Sequence, residues 1–427
     1  MLERAPVAAP EVDSPGPCSA VHSTDVAIVG GGLAGSLAAA MLGRAGIDAV
    51  LIDPRADYPP DFRCEKLDGD QVAILKKTGL AEAVLHASTP DRESWVARHG
   101  RLIEKRPGDQ EGIFYAPLVN TVRAQIPANV RFLQDKAAAL ATGQDTQTVT
   151  LASGERLSAR LIVLANGLNV GLRDSINLKR EILSTCHSIS IGFDVKPASR
   201  QSFEFPALTY YAERPADRAA LLTLFPIEQS MRANLFVYRG MEDPWLHDFR
   251  VAPRDTLFAL MPGLKRHTGD FTVDGPVKIR PIDLYTTRGH LQPGVVLVGD
   301  AFATSCPAAG TGARKVLNDV ERLCNVHIPR WLATPGMGLD KIAAFYRDPV
   351  KLACDRYSYR KAHRLKSFST DPTLPWTLRR GVKFFAQSAR GQCRKLWRAV
   401  ASTSQETPPL AGGRWMGRAA SGRVRNL

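Results

Sequence analysis

Three glycine-bearing turns, each at the end of an apolar run, constrain this chain more than any other feature. The first follows Val26-Ala27-Ile28-Val29 and reads Gly30-Gly31-Gly32-Leu33-Ala34-Gly35. The second is Val163-Leu164-Ala165-Asn166-Gly167, running on to Arg173. The third is Val296-Leu297-Val298-Gly299-Asp300, followed by Pro307 and by Gly310-Thr311-Gly312. A short β-branched run of this kind is the mark of a buried parallel strand. A glycine directly after it lets the chain turn sharply and approach a ligand closely.

The first turn carries the most chemistry. Gly30 permits the tight exit from the strand, Gly32 lets backbone approach a pyrophosphate, and Gly35 allows close helix–strand packing. Leu33 to Arg44 is rich in Ala and Leu and predicts a helix, with Gly46 as its C-cap. The N-terminus of that helix, at Leu33 and Ala34, offers free N–H groups and a positive dipole to phosphate. Ala49 to Ile52 predicts the next strand, and Asp53 stands at its end, 23 residues after Gly30. An acid there accepts hydrogen bonds from ribose hydroxyls. Strand, helix, strand and terminal acid in register predict dinucleotide binding. The three turns together, in this order, point to one FAD site.

These segments resemble the FAD-dependent aromatic monooxygenases, the single-component group that includes para-hydroxybenzoate hydroxylase and the ubiquinone-pathway hydroxylases. The resemblance runs from about Asp25 to Leu323. In that family the second segment usually reads Asp-Gly with a later Ser and Arg, and touches both flavin and nicotinamide donor. Gly167 and Arg173 match it. Asn166 replaces the Asp and Val170 the Ser, which bears on direct use of NADH or NADPH as electron donor. The family's Asp on the flavin ribityl chain corresponds to Asp300. Its Pro-x-x-Gly-x-Gly helix entry corresponds to Pro307, Gly310, Thr311 and Gly312, whose N–H groups and dipole would steady an anionic reduced flavin. Arg314 stands where the family usually has Asn, and Asp319 matches an acid further along that helix. Arg123 resembles the family's Arg or Gln near the FAD phosphates; a solvated helix arginine is the equal alternative. Arg55, two residues after Asp53, joins the expected FAD contacts.

The resemblance implies an α/β fold: a Rossmann-like FAD-binding domain, an inserted antiparallel-sheet substrate domain and a helical C-terminal segment. The expected division is an N-terminal extension, 1–24, disordered because it is rich in Pro and Ala; FAD-binding segments 25–175 and 276–330; a substrate sheet, 176–275; and a basic helical region, 331–427. Leu67 to Leu80 predicts a helix ending at Gly79. Thr148 to Leu161 predicts a hairpin around Ser153-Gly154. Strands are predicted at 130–133, 189–195, 208–212, 221–226, 234–238 and 277–281, and one helix over Asp243–Leu260. Seven scattered cysteines without a Cys-x-x-Cys pair suit a reducing cytosol, with neither a disulfide framework nor a metal site. No run approaches the ~20 apolar residues of a spanning helix.

The implied activity is a monooxygenase, hydroxylating or epoxidising an aromatic or lipophilic small molecule with molecular oxygen through a flavin C4a-hydroperoxide. A prenyl-chain reductase or lycopene-cyclase-like flavoenzyme, and a non-catalytic flavin-binding redox sensor, are the alternatives. A halogenase is set aside, because the six tryptophans never stand two apart as its Trp-x-Trp-x-x-Pro signature requires. Tyr210, Tyr211, Phe225 and Tyr238 are pocket candidates weighed against plain core packing; strand alternation lets only one of Tyr210 and Tyr211 face inward. Arg63, Glu65 and Lys66 follow the Pro59-Pro60 turn, either beside the flavin or in a surface charge cluster. Cys306 reads as a packed residue before a redox one. No acid–base residue is identified. Trp376 to Leu427 carries 11 Lys/Arg against one acid, Glu406, so +10 of the chain's +14 lies there. Within 376–400, Leu378, Val382, Phe385, Ala389, Leu396 and Val400 recur at helical spacing among basic residues. That pattern predicts either a helix packed on the flavin domain with a solvated basic face or peripheral contact with an anionic membrane. Nucleic acid is not expected, since no base-reading motif accompanies the charge. The expected location is the cytoplasm, with any membrane contact at the inner face.

Overall fold

The computed structural model describes residues 22–403. Residues 1–21 and 404–427, including Glu406, lie outside the described part, as do the side chains of Leu396 and Val400.

Two seven-stranded sheets organise the molecule. The first runs in the order Arg131–Leu133, Ala49–Ile52, His22–Val29, Arg156–Leu164, Gln147–Leu151 and Ala137–Ala141, with Val295–Leu297 also pairing Arg156–Leu164. Its four central pairings are parallel, and Val26–Ile28, Leu161–Leu164 and Val295–Leu297 are fully buried. This is the outcome expected of unbroken apolar runs covered on both faces. All three glycine turns leave the C-terminal ends of adjacent strands of this sheet, which is why segments far apart in sequence meet. His22 to Thr24 belong to its first strand rather than to the N-terminal extension. They pair with Leu157–Ala159, and backbone hydrogen bonds hold them there without an apolar signal.

The second sheet runs in the order Phe271–Arg288, Lys179–Pro197, Ser230–Val237, Ala219–Ile227, Ala207–Tyr211, Glu93–Arg98 and Arg101–Pro107. The four central strand-like runs of the sequence form an antiparallel block, as expected. The Glu93–Pro107 hairpin joins it through a parallel pair with Ala207–Tyr211, so chain from within 25–175 is part of this sheet. Lys179–Pro197 and Phe271–Arg288 are long, paired over most of their length with register shifts, and carry the chain out of the first sheet and back.

The helix predicted over Asp243–Leu260 is two helices, Trp245–Val251 and Pro253–Leu260. Pro253 cannot donate an N–H, and it forces Ala252 out of the helical region to φ −133, ψ 67. The helix predicted over Leu67–Leu80 spans Gly69–Lys77, opened by a capping box between Asp68 and Gln71. The hairpin around Gly154 forms as predicted, with that glycine at φ +91. The chain closes with two long helices, Pro349–Thr370 and Leu374–Thr403.

Candidate active site

The first turn is built to leave one direction open. Gly30 sits at φ +104, and a Cβ there would lie 2.7 Å from the Ala165 carbonyl oxygen. A Cβ on Gly35 would lie 1.8 Å from the Gly30 carbonyl oxygen. These two glycines are required by the protein's own backbone. Gly32 is different, because a Cβ there would meet nothing nearer than the Tyr115 hydroxyl at 3.8 Å. Gly32 is the N-cap of the Leu33–Arg44 helix and has no side chain to cap it, and of the first N–H groups Leu33 alone meets a side chain, the Tyr115 hydroxyl at 3.5 Å. Unpaired helix N–H groups beside open space are what a phosphate group fits.

Asp53 and Arg123 brace this turn. Asp53 accepts from the Gly31 N–H at 2.7 Å and from the Arg55 N–H at 3.0 Å. Arg123 ends the Tyr115–Arg123 helix and is not a solvated residue, its side chain being only 9% exposed. Its Nε donates to the Gly31 carbonyl at 3.0 Å, and Nη1 donates to the carbonyls of Arg55 and Ala56 at 2.7 and 2.6 Å. The arginine therefore shapes the turn through backbone oxygens and also pairs with Asp53 at 3.4 Å.

At the other end, a cavity of about 200 Å³ is lined by Leu33, Arg63, Tyr115, Leu168, Asp300, Pro307, Gly310 and Gly312. All three glycine segments thus contribute to one space. Ala34 is buried behind it, and the Thr311 hydroxyl turns away to share a hydrogen bond with Ser358 at 2.7 Å. Gly167 and Gly310 take positive φ, +58 and +64, with room for a Cβ at both. Asn166 folds onto its own loop, donating to the Asn169 carbonyl at 3.1 Å. Arg173 is buried and donates to the carbonyls of Asn169 and Ala301, both at 2.9 Å, so it ties the second segment to the third.

Asp300 is held from two sides. Its carboxylate pairs with Arg63 at 3.3 Å, and its backbone follows Gly299, whose N–H donates to Asp319 at 3.0 Å. Asp319 in turn receives Lys351 Nζ at 2.8 Å inside the core. Arg314, at the family's Asn position, reaches Asp70 at 2.8 Å. Of the residues after the Pro59-Pro60 turn, Arg63 lines the cavity. Glu65 forms a buried bidentate pair with Arg232 at 2.8 and 3.0 Å. Burial is the strongest influence on Lys66 and, with Arg106, lowers its amine to about 8, against the raising effect of Asp91 and Asp68.

The sequence reading missed Tyr115 and Arg280. The Tyr115 hydroxyl lies 3.5 Å from the Leu33 N–H. Arg280 holds the Arg63 loop through Asp61 at 2.7 Å and the Phe62 carbonyl at 2.9 Å. An arginine inside a predicted strand is the one signal that pointed to either. Of the pocket candidates, Tyr210 is buried in the second sheet's core and bonded to Glu213 at 2.6 Å, and Phe225 is buried also. Tyr211 is the member of its pair that reaches a larger outer chamber. Tyr238 packs against His187 behind the flavin turn. Cys306 is fully buried in a small apolar cluster, and burial pushes its thiol up.

Comparison with known proteins agrees with this geometry. A family model described as "FAD binding domain" matches residues 23–326. The 3-demethoxyubiquinol 3-hydroxylase of Escherichia coli is 24% identical over 326 residues, covering 71% of this chain and 79% of that protein. The ubiquinone hydroxylase UbiL of Rhodospirillum rubrum is 25% identical over 349 residues, covering 78% and 77% respectively. The crystal structure of p-nitrophenol 4-monooxygenase PnpA from Pseudomonas putida has the same fold, with a TM-score of 0.69 at 17% identity over 90% of this chain and 98% of that one.

Proposed function

The chain belongs to the FAD binding domain family, and on that premise we propose that it is an FAD-dependent monooxygenase. The proposed reaction inserts one atom of molecular oxygen into an aromatic or lipophilic small molecule. The observation that carries this reading is the convergence of three glycine turns on one cavity, together with two curated relatives that bear hydroxylase names. The prenyl-chain reductase, lycopene-cyclase-like and non-catalytic readings draw no support from those relatives.

In this reading Gly30, Gly32 and Gly35 shape the pyrophosphate seat, and the N–H groups of Leu33 and Ala34 face it. Asp53 and Arg55 take the adenosine end, with Arg123 bracing the turn. Gly167, Asp300, Pro307, Gly310, Thr311 and Gly312 form the isoalloxazine end. Bound FAD would supply the redox and oxygen-activating chemistry. The protein's part is to orient and to exclude water. Arg63 fixes the Asp300 carboxylate, and the buried Glu65–Arg232 pair joins the flavin loop to the second sheet. Burial holds the amine of Lys66, in the same cavity, down at about 8.

NADH or NADPH is the proposed electron donor. Anaerobic mixing of the FAD-loaded protein with each donor tests this. Bleaching of the flavin absorbance, accelerated by substrate, is the expected result; no bleaching with either donor overturns it.

A second reading concerns the Leu374–Thr403 helix. Leu374, Leu378, Val382 and Phe385 lie between 60% and 71% exposed, and Leu378 and Val382 also line the outer chamber. With the exposed Arg390 further along the helix, the Leu374 and Phe385 end of this stripe suits peripheral contact with an anionic membrane from the cytoplasm. No helix among the described residues is long and apolar enough to cross one. Co-sedimentation with anionic vesicles should be lost in Leu374→Glu/Phe385→Glu; equal pelleting of both proteins refutes the contact.

A further inference from the structure

A chamber of about 1340 Å³ lies outside the flavin turn. It shares Lys66, Gln71, Phe236, Pro307 and Gly310 with the inner cavity, so the two spaces adjoin. Its walls differ. The sheet side presents Tyr211, Leu221 and Phe236 together with one ionic residue of each sign, Glu104 and Arg106. The helix side is basic. In all, eight Lys and Arg line the chamber against two acids, Asp68 and Glu104, so the lining carries a surplus of six positive charges.

The basic residues stand in rows. Arg356, Arg360 and Arg364 recur every fourth position on the Pro349–Thr370 helix, and Arg379 and Lys383 do the same on the helix that follows. Like charges four apart oppose helix formation. No ion pair forms at any of these five among the described residues, nor at Arg106 on the neighbouring strand, whose Nε is buried without a partner. Arg232, Arg280 and Arg322, by contrast, each face a carboxylate, whereas the row residues stand exposed and face one another. Burial, then Arg98 and Arg364, hold the Lys383 amine down at about 8. An anion between the rows would relieve this crowding.

Length narrows the occupant. The eight helical steps from Arg356 to Arg364 span about 12 Å at ~1.5 Å per residue. One carboxylate cannot reach along such a row. Arginine forks match phosphate oxygens in pairs. Building on the monooxygenase reading, we propose that the substrate is an extended organic polyanion of the phosphoester class, its oxidisable part at Pro307–Gly310 and its phosphates between the two basic rows.

The test uses the full-length, FAD-loaded protein, with coenzyme A and inorganic pyrophosphate as probes, followed by calorimetry and by the flavin difference spectrum. Both probes should bind, more weakly as salt rises. Arg356→Gln/Arg360→Gln/Arg364→Gln should weaken coenzyme A by about thirtyfold, roughly threefold for each arginine–phosphate pair removed. Flavin content and Tm should stay as in the parent. Should the triple variant fold poorly, Arg379→Gln/Lys383→Gln asks the same question from the other helix. Unchanged affinity, or no binding of either probe, overturns the proposal. So does binding confined to NADH and NADPH, which would assign the rows to the electron donor. So does an effect confined to phosphatidylglycerol vesicles, which would assign them to lipid headgroups. Flavin content is measured in every sample: a parent protein that holds no FAD sinks the monooxygenase reading itself, a separate result from a flavoprotein that ignores polyanions.

Discussion

The two ends of the proposed site are built on opposite principles. At the pyrophosphate end Asp53 and Arg123 are both satisfied by the protein. Asp53 accepts two backbone N–H groups, and Arg123 is committed to the carbonyls of Gly31, Arg55 and Ala56. What that end offers a ligand is backbone: a helix N-terminus and the space beside Gly32. At the chamber end the offering is side-chain charge left unpaired, in rows on two helices. A backbone seat recognises one group shared by many nucleotides. A charged wall without counter-ions selects among substrates, because the mutual repulsion of its rows is best relieved by an anion of matching length.

Substitutions at the glycines should break this contrast most severely. Gly35→Ala places a methyl against the Gly30 carbonyl, so FAD affinity should fall by ~100-fold, about 2.7 kcal/mol, and the apoprotein should lose stability as well. Gly32→Ala should lower flavin content while moving the apoprotein's stability by about 1 kcal/mol or less, the cost of a poorer N-cap. Flavin absorbance per protein and apoprotein Tm read the two effects. If Gly32→Ala unfolds the protein as readily as Gly35→Ala, the open seat is an illusion.

Comparable in size is the buried pair that joins flavin loop to sheet. Arg232→Met strands the Glu65 carboxylate and should cost about 3–5 kcal/mol in urea unfolding. Removing both charges together, in Glu65→Met/Arg232→Met, should recover most of that loss. A double variant as unstable as the single would mean that packing, not charge, holds this junction.

A smaller effect concerns Lys66, on the wall shared by both spaces. Its amine sits near 8, so coenzyme A binding should weaken as pH rises from 7 to 9 and the charge is lost. Lys66→Met should bind more weakly at pH 7 and remove about half of that pH dependence, the Lys383 amine near 8 supplying the rest. A parent protein with a flat profile would show that this amine does not meet the anion.

The smallest effect comes from behind the flavin turn. Burial, then Lys366 and His363, push His187 down to about 4 from its ordinary 6.5. Between those values the unfolded chain takes up a proton that the folded chain refuses. Stability should therefore be fully present above pH 6.5 and decline as pH falls toward 4. The Tm of His187→Gln should fall less steeply over that window; parallel slopes would place the acid sensitivity elsewhere.

How much of this is legible in the sequence follows the same division. Gly30, Gly35 and the strand Val26–Val29 announce themselves, because a sharp turn and a doubly covered strand each demand particular residues within a few positions. Pro253 is equally plain in the sequence, yet the helical pattern runs on across it and hides the break. The Glu93–Pro107 hairpin is not legible as part of the second sheet, since its partner, Ala207–Tyr211, lies some hundred residues away and pairs with it in parallel. Arg123 is readable as a site residue but not as a brace for the Gly31 turn. Tyr115 carries no signal, and its place beside Leu33 depends on a helix packing across the turn.

The sequence alone determined the flavin turns, because backbone sterics act locally and only glycine satisfies them. It also determined that the C-terminal region would be basic. Which of those charges would find partners was decided by the tertiary structure. Ion pairing is a property of distance between segments remote in the chain, and the packing of two helices over one sheet left a row of arginines facing open space.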